Sequence, residues 1–175
     1  MKVVSRLQFF AMISSQFMLG SMYVEGIGVP QHSKKGIKLL KKAAESGVAD
    51  AKFVLGAIYH EGRRGVPQDS KEAAVWYRLA ADQGDAEAQY TLGNMYLEGD
   101  GVSEDLERAV CCWRAAAKQG HPGGLRNLAC AHGRGHGTEK NILLASILSD
   151  LSRRIDSGYV DPFTSRLAEI FSESS

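Results

Sequence analysis

Residues 90–102 read YTLGNMYLEGDGV, and the Leu-Gly pair inside this stretch decides the fold. The pair recurs along the chain with spacings of 36, 37 and 36 residues. It stands at residues 19–20, 55–56 and 92–93, and it weakens to Leu-Ala at residues 128–129. A period in this range, sustained through most of a chain, indicates an array of repeats rather than one globular core.

Each copy has the sequence features of two helices joined by a glycine-rich turn. Leu92 and Tyr96 lie on one helical stripe, and Gly93 beside them has no Cβ, which lets a neighbouring helix approach closely. The Gly-x-Gly step that follows ends the first helix, because glycine accepts the left-handed conformation of a C-terminal cap. The N-cap candidates are Ser33, Asp69 or Ser70, and Ser103 for second helices, and Asp85 for a first helix.

The recurring elements Leu-Gly-x-x-Tyr, Gly-x-Gly-Val, Trp-Tyr and Ala-Ala together resemble the Sel-one-like repeat (SLR), a tetratricopeptide-like helical repeat. The resemblance covers roughly residues 12–156. It implies an all-α fold, a right-handed α-solenoid of about four helix-turn-helix hairpins whose copies must stack to bury their apolar faces. It also implies a non-enzymatic, partner-binding scaffold of a kind common in bacteria.

The predicted organisation is a single solenoid domain over residues 1–175. It divides into an N-terminal extension at 1–11, repeats at 12–47, 48–84, 85–120 and 121–156, and a C-terminal capping helix at 161–172. The capping helix starts at Asp161-Pro162, a favourable helix start, and should cover the fourth repeat. Apolar residues before the first repeat predict a partner or self-association surface, including a homodimer, at Val3, Val4, Leu7, Phe9, Phe10 and Met12.

Charge and hydropathy limit the remaining classes of partner. The chain has a net charge of +1, which is uneven: residues 1–48 carry +5 and residues 49–110 carry −6. Lysines at 34, 38 and 42 form one stripe, but no aromatic residue interleaves them, so a solvated face is favoured over nucleic-acid binding. No run approaches the ~18 apolar residues of a membrane span, so membrane insertion is not predicted.

The first residues have a faint signal-peptide outline, since Lys2 and Arg6 precede a short apolar run at 7–13. Gln8 interrupts that run and no small-x-small cleavage site follows it. The sequence therefore predicts a cytoplasmic protein, with an exported or periplasmic protein as the alternative.

Catalytic, metal and cofactor sites are not predicted. Cys111 and Cys112 take packing positions of the previous copy, so they and Cys130 are predicted to be reduced, buried thiols. His132 and His136 are four residues apart, but His132 takes the core tyrosine position, which favours a core histidine over a metal ligand. One alternative is an enzyme or peptidoglycan-recognition module like cysteine-rich SLR proteins, whose cysteine pairs this chain lacks; another is a self-assembling structural adaptor.

The resemblance also implies where a partner binds, because first helices line the concave surface of tetratricopeptide-like stacks. Aromatic residues and glutamates form two ladders there, which predict a partner protein or peptide, possibly a basic one. The alternative is that the aromatic rings pack between helices and the glutamates are merely solvated. The carried-over positions are Phe17, Ser21, Val24, Glu25, Phe53, Ala57, His60, Glu61, Tyr90, Asn94, Leu97, Glu98, Arg126, Cys130 and Arg134.

Overall fold

The computed structural model describes the backbone of residues 6–158 and the side chains of residues 11–158. All regular structure in that part of the chain is α-helical, which confirms the predicted all-α repeat fold. The helices are α1 (Arg6–Glu25), α2 (Ser33–Glu45), α3 (Ala49–Glu61), α4 (Ser70–Ala81), α5 (Ala86–Glu98), α6 (Leu106–Lys118), α7 (Pro122–Arg134) and α8 (Ile142–Asp156).

Consecutive helices pair as hairpins, α1 with α2, α3 with α4, α5 with α6, and α7 with α8. The chain divides into two compact units between Gln83 and Gly84, each containing two hairpins. In the first unit α2 also packs on α3, and in the second unit α6 packs on α7. The right-handed solenoid and the single-domain organisation stay predictions, and the predicted capping helix at 161–172 lies outside the described residues.

The Leu-Gly pair sets the close packing inside the second and third hairpins. A Cβ on Gly56 would lie 2.7 Å from Tyr77 Cδ1, and a Cβ on Gly93 would lie 2.5 Å from Trp113 Nε1. The aromatic ring of the second helix therefore rests directly on the glycine of the first helix. This confirms the packing role predicted for Gly93.

Glycines follow all four first helices in the left-handed conformation that the Gly-x-Gly step predicts. Gly26, Gly62, Gly99 and Gly135 have φ of 73°, 63°, 68° and 73°. The backbone N–H of each donates to the carbonyl four residues earlier, which satisfies one of the carbonyls left open at a helix end.

The loop between the helices of a hairpin closes on the tyrosine of the repeat. The N–H of the N-cap residue of each second helix donates to that tyrosine's carbonyl, or in the fourth copy to the carbonyl of His132, over 2.8–2.9 Å. These N-caps are His32, Asp69, Asp105 and Asn141.

Two of the predicted N-caps are confirmed and two are wrong. Asp69 caps α4 and Asp85 caps α5, as predicted. Ser33 is instead the first residue of α2, and Ser103 lies two residues before the true cap, Asp105. The residue that reaches the tyrosine carbonyl becomes the cap, and neither serine occupies that place.

Candidate functional site

The first unit contains a closed contact between its hairpins, which we call the first seam: Glu25, Ser33 and the loop residues 62–65. Arg64 Nη2 lies 2.6 Å from Glu25 Oε2, and Ser33 Oγ donates to the backbone carbonyl of Arg64 over 2.5 Å. Arg64 has a φ of 60°, which is uncommon for a residue with a side chain. The loop of the second repeat is thereby fastened to the first hairpin.

Several predicted partner residues of the first unit are part of its own packing. Val24 is only 1% exposed, so the prediction that it contacts a partner is wrong; it belongs to the apolar core of the unit. Phe17 is half-buried against the same core. Phe53 and His60 both pack against the ring of Tyr77, with centroid distances of 5.6 Å and 6.1 Å.

The glutamates of the first unit are already engaged by arginines. Glu25 pairs with Arg64, and Glu61 pairs with Arg63 in the turn that follows α3. Ser21 and Ala57 are half-buried on α1 and α3. The first unit therefore presents less free negative charge than the glutamate ladder predicts.

The outer face of the first unit contains a second cluster, built around Lys41. Its ammonium lies 3.3 Å from Glu72 Oε1, and 5.4 Å and 5.5 Å from the ring centroids of Tyr59 and Trp76. Burial lowers the pKa of Lys41, but the hydrogen bonds and charges of Tyr59 and Glu72 outweigh burial and raise that pKa above its ordinary value of 10.5. This cluster holds α2, α3 and α4 together.

The second unit contains an open cleft of about 240 Å³ in the corresponding place. We call this contact the second seam: Glu98, Leu106 and the loop residues 135–137. The backbone of Gly137 lies against Leu106, so a Cβ there would be 2.6 Å from the carbonyl carbon of Leu106. The cleft is lined by Leu97, Leu106, Trp113, Asn127, Cys130, Ala131, Arg134 and His136.

A hydrogen-bond network organised by Asn94 joins three helices next to the cleft. Asn94 Oδ1 accepts from Trp113 Nε1 over 3.1 Å and from Asn127 Nδ2 over 2.8 Å. Trp113 and Asn127 both line the cleft. Asn94, predicted to contact a partner, thus fixes the side chains that form the site.

Tyr90 and Arg126 are also engaged within the second unit. Tyr90 stacks on His121 at a centroid distance of 4.8 Å and packs over Gly123. His121 in turn caps α7 and contacts Glu87 over 2.9 Å. Arg126 pairs with Asp156 of α8 over 2.9 Å. The alternative that the aromatic ladder packs between helices therefore describes Phe17, Phe53 and Tyr90.

Leu97, Cys130 and Arg134 are the predicted partner residues that reach the cleft, and Glu98 is exposed beside Leu97. The sequence did not identify four of the residues that line the cleft. Leu106 and Trp113 lie on α6, Asn127 lies on α7, and His136 lies in the loop that follows α7. The one available signal was the missing residue in this loop relative to the loop at 62–65, which leaves less chain to fill the seam.

The cysteines and histidines differ in how well they follow their predictions. Cys111 and Cys130 are exposed and Cys112 is half-buried, so the prediction of buried thiols is wrong; none of the three described cysteines is in a disulfide. These positions of α6 and α7 are accessible to solvent, although the corresponding residues of the preceding copy are larger. His132 is buried and its Nδ1 lies 3.1 Å from the carbonyl of Glu139, which confirms a core histidine. Among the described residues no group of three His, Cys, Asp or Glu side chains is placed to hold a metal.

The sequence profile of the Sel1 repeat family matches residues 13–48, 49–85, 86–121 and 122–145. The chain belongs to the Sel1 repeat family. Proteins of this family are typically scaffolds for protein interaction. No curated protein sequence matches the chain. No helix within residues 6–158 is long and apolar enough to cross a bilayer.

Two solved structures show the same fold. One is a protective antigen present in uropathogenic Escherichia coli strains, which displays an SLR fold; it is 32% identical, with a TM-score of 0.77 over 88% of this chain and 33% of that chain. The other is a Sel1 repeat protein from Oxalobacter formigenes, 31% identical, with a TM-score of 0.69 over 84% of this chain and 57% of that one. This chain therefore spans a third to somewhat over half of the length of these relatives.

Proposed function

We propose that this protein is a non-enzymatic Sel1-repeat scaffold that binds a partner protein through the faces of its first helices, with the cleft of the second unit as the principal contact. The observation that carries the proposal is the second seam, where Leu97, Cys130 and Arg134 of two first helices border an open cavity. Binding energy at protein interfaces concentrates where a side chain of one partner fills a pocket of the other.

The size of the cleft favours a partner side chain over a small-molecule substrate. Its volume of about 240 Å³ is smaller than the roughly 300–1,000 Å³ typical of ligand pockets. The Asn94 network fixes Trp113 and Asn127 at its wall before anything binds, and a preorganised wall lowers the ordering cost of binding. The site therefore suits one anchoring residue of a larger partner.

Self-association is a second candidate, supported by exposed apolar groups on α1. Met12, Met18 and Leu19 are 47%, 63% and 38% exposed, and they lie on the helix that starts the first hairpin. The homodimer predicted for this end would cover them. Light scattering of wild type and of Met18→Glu decides it: a dimer that becomes a monomer supports the candidate, and a concentration-independent monomer removes it.

The test of the main proposal compares two cysteine substitutions in pull-downs from lysate of the source organism, followed by mass spectrometry. Cys130→Trp fills the cleft, and Cys111→Trp places the same side chain at another exposed position, on α6. We expect the wild type and Cys111→Trp to capture the same partner, and Cys130→Trp to lose it. If Cys130→Trp captures that partner as well as wild type does, the cleft is not the binding surface.

We propose a cytoplasmic location and a bacterial source. The partner that we propose carries an acidic segment, in place of the basic one that the sequence predicts. Fractionation of cells that express the chain tests the location. Recovery in the periplasmic fraction supports the exported alternative.

A further inference from the structure

Among the described residues that line the cleft, Arg134 and His136 are the ionisable nitrogen bases, and none is a carboxylate. Glu98 is exposed beside Leu97 but does not line the cleft. Arg134 is exposed and makes no ion pair or hydrogen bond with any described residue. A guanidinium has five N–H donors in a planar fork that matches a carboxylate. The rim of the cleft is therefore a site for a negatively charged group.

In the first unit, the two corresponding positions carry residues of opposite charge. Glu61 corresponds to Arg134 in the repeat register and Arg63 corresponds to His136, and Glu61 and Arg63 form an ion pair with each other. In the second unit both positions carry basic residues, so neither can neutralise the other. Within the part of the chain that the structure describes, a positive charge without an ion-pair partner thus distinguishes the second seam from the first.

The floor of the cleft is apolar. Leu97 is 41% exposed, and Leu106, Ala131 and the ring of Trp113 complete the surface. The one polar hydrogen of the Trp113 ring already donates to Asn94, so the ring offers only its apolar faces and edges. An apolar side chain entering the cleft would displace water from this surface without leaving a donor unsatisfied.

We propose that the cleft binds a partner segment in which an apolar side chain is flanked by an Asp or Glu side chain, the apolar group on Leu97 and Trp113 and the carboxylate on Arg134. This inference rests on the proposed function and names the chemistry of its partner. Asn127 adds an acceptor, because its amide carbonyl has no partner among the described residues and can receive a backbone N–H. A basic segment has less support, since Glu25 and Glu61 are already paired with arginines and Glu98, the remaining glutamate of the ladder, does not line the cleft.

The experiment is a selection from a phage-displayed library of random peptides on the full chain, with counter-selection against Cys130→Trp. We expect enriched peptides to contain an apolar residue next to Asp or Glu. A synthetic peptide from the selection should bind Arg134→Glu at least about tenfold more weakly, because an attraction becomes a repulsion. Replacing the peptide's acidic residue by Lys should restore binding to Arg134→Glu.

The matched control is Arg114→Glu, an equal charge change at an exposed position of α6 outside the cleft. Its affinity should stay within about twofold of wild type, since Arg114 does not line the cleft and the charge of an exposed side chain is screened by salt. Circular dichroism melts of both variants verify that they are folded, and both positions are exposed, so no core contact is lost.

Each outcome separates this inference from the function on which it rests. Enriched peptides that are basic or uncharged, yet blocked by Cys130→Trp, overturn the acidic segment and leave cleft binding standing. Peptides that bind Cys130→Trp as tightly as wild type overturn both. A selection that yields no peptide dependent on the cleft also overturns the inference.

Discussion

The two seams occupy the same place in the repeat register, but one is closed and the other is open. In the first seam Arg64 reaches across to Glu25 and Ser33. In the second seam the loop is one residue shorter, no residue corresponds to Arg64, and Glu98 has no ion pair among the described residues. The backbone of Gly137 in this loop lies against Leu106 of α6, and a cleft of about 240 Å³ remains.

The comparison shows how a single residue can separate a closed contact from an open cleft in a repeat protein. The extra residue of the first loop takes a left-handed backbone conformation at Arg64 and directs its side chain to the neighbouring hairpin. Without it, Arg134 and His136 at the rim of the cleft form no ion pair within residues 6–158. The hairpins themselves are alike; the loops between their helices differ.

The largest expected effect distinguishes the glycines of the two loops. Gly65 and Gly137 have φ of 76° and 68°, so an alanine is strained at either position by roughly 1 kcal/mol. At Gly137 the new Cβ would also meet the backbone of Leu106, whereas nothing lies within 4 Å at Gly65. We expect Gly137→Ala to lower the free energy of unfolding by about 1–3 kcal/mol more than Gly65→Ala, measured by urea titration. Equal losses would show that the second loop does not rest on α6.

The next effect concerns the Asn94 network. Asn94→Ala leaves the Trp113 N–H and the Asn127 amide without their shared acceptor, which should reduce the free energy of unfolding by about 1–3 kcal/mol. Ser21 is the corresponding residue of the first unit, and Ser21→Ala should stay within about 0.5 kcal/mol of wild type. Asn94→Asp retains an oxygen that can accept both hydrogen bonds. It should therefore lower the free energy of unfolding by less than Asn94→Ala does. A neutral Asn94→Ala would contradict the preorganised wall.

A smaller effect is expected for the closure of the first seam. The Arg64–Glu25 pair is exposed, so Arg64→Ala should lower the free energy of unfolding by about 0.2–1 kcal/mol. Arg64→Gly loses the same pair but relieves the left-handed strain, and it should be more stable than Arg64→Ala. A double-mutant cycle with Glu25→Ala isolates the pair. A coupling free energy of zero would mean that the arginine does not fasten the seam.

The smallest effect is a pH dependence confined to the Lys41 cluster. The folded protein raises the pKa of Lys41, so the stabilisation is complete below the unfolded value of about 10.4 and is lost as pH rises through the folded value. The difference in melting temperature between wild type and Lys41→Met should therefore shrink at high pH. Lys42→Met, at an exposed neighbouring position, is the control for removing a lysine from α2. A Lys41 difference that grows with pH would reverse the assigned sign.

The sequence predicts what lies within a hairpin better than what lies between hairpins. The Leu-Gly register and the glycine caps are local, because each depends on residues a few positions apart or on one facing helix. Val24 shows where that reasoning ends: its position on a first helix suggested exposure, yet the packing of α2 buries it. The cleft forms where Leu106 and Trp113 of α6 meet the loop at 135–137. Whether they meet depends on how one hairpin is rotated on the next.

The central claim is that the second seam is a binding surface, and the two exposed cysteines of the second unit test it without any substitution. Cys130 lines the cleft and Cys111 does not. Their rates of alkylation by iodoacetamide can be followed by mass spectrometry, where fragment ions separate Cys111 from Cys112. The probe is the acidic, apolar peptide obtained from the selection. Binding in the cleft predicts that saturating peptide slows alkylation of Cys130 by about tenfold or more and leaves Cys111 unchanged. Equal rates at Cys130 with and without bound peptide would contradict the account.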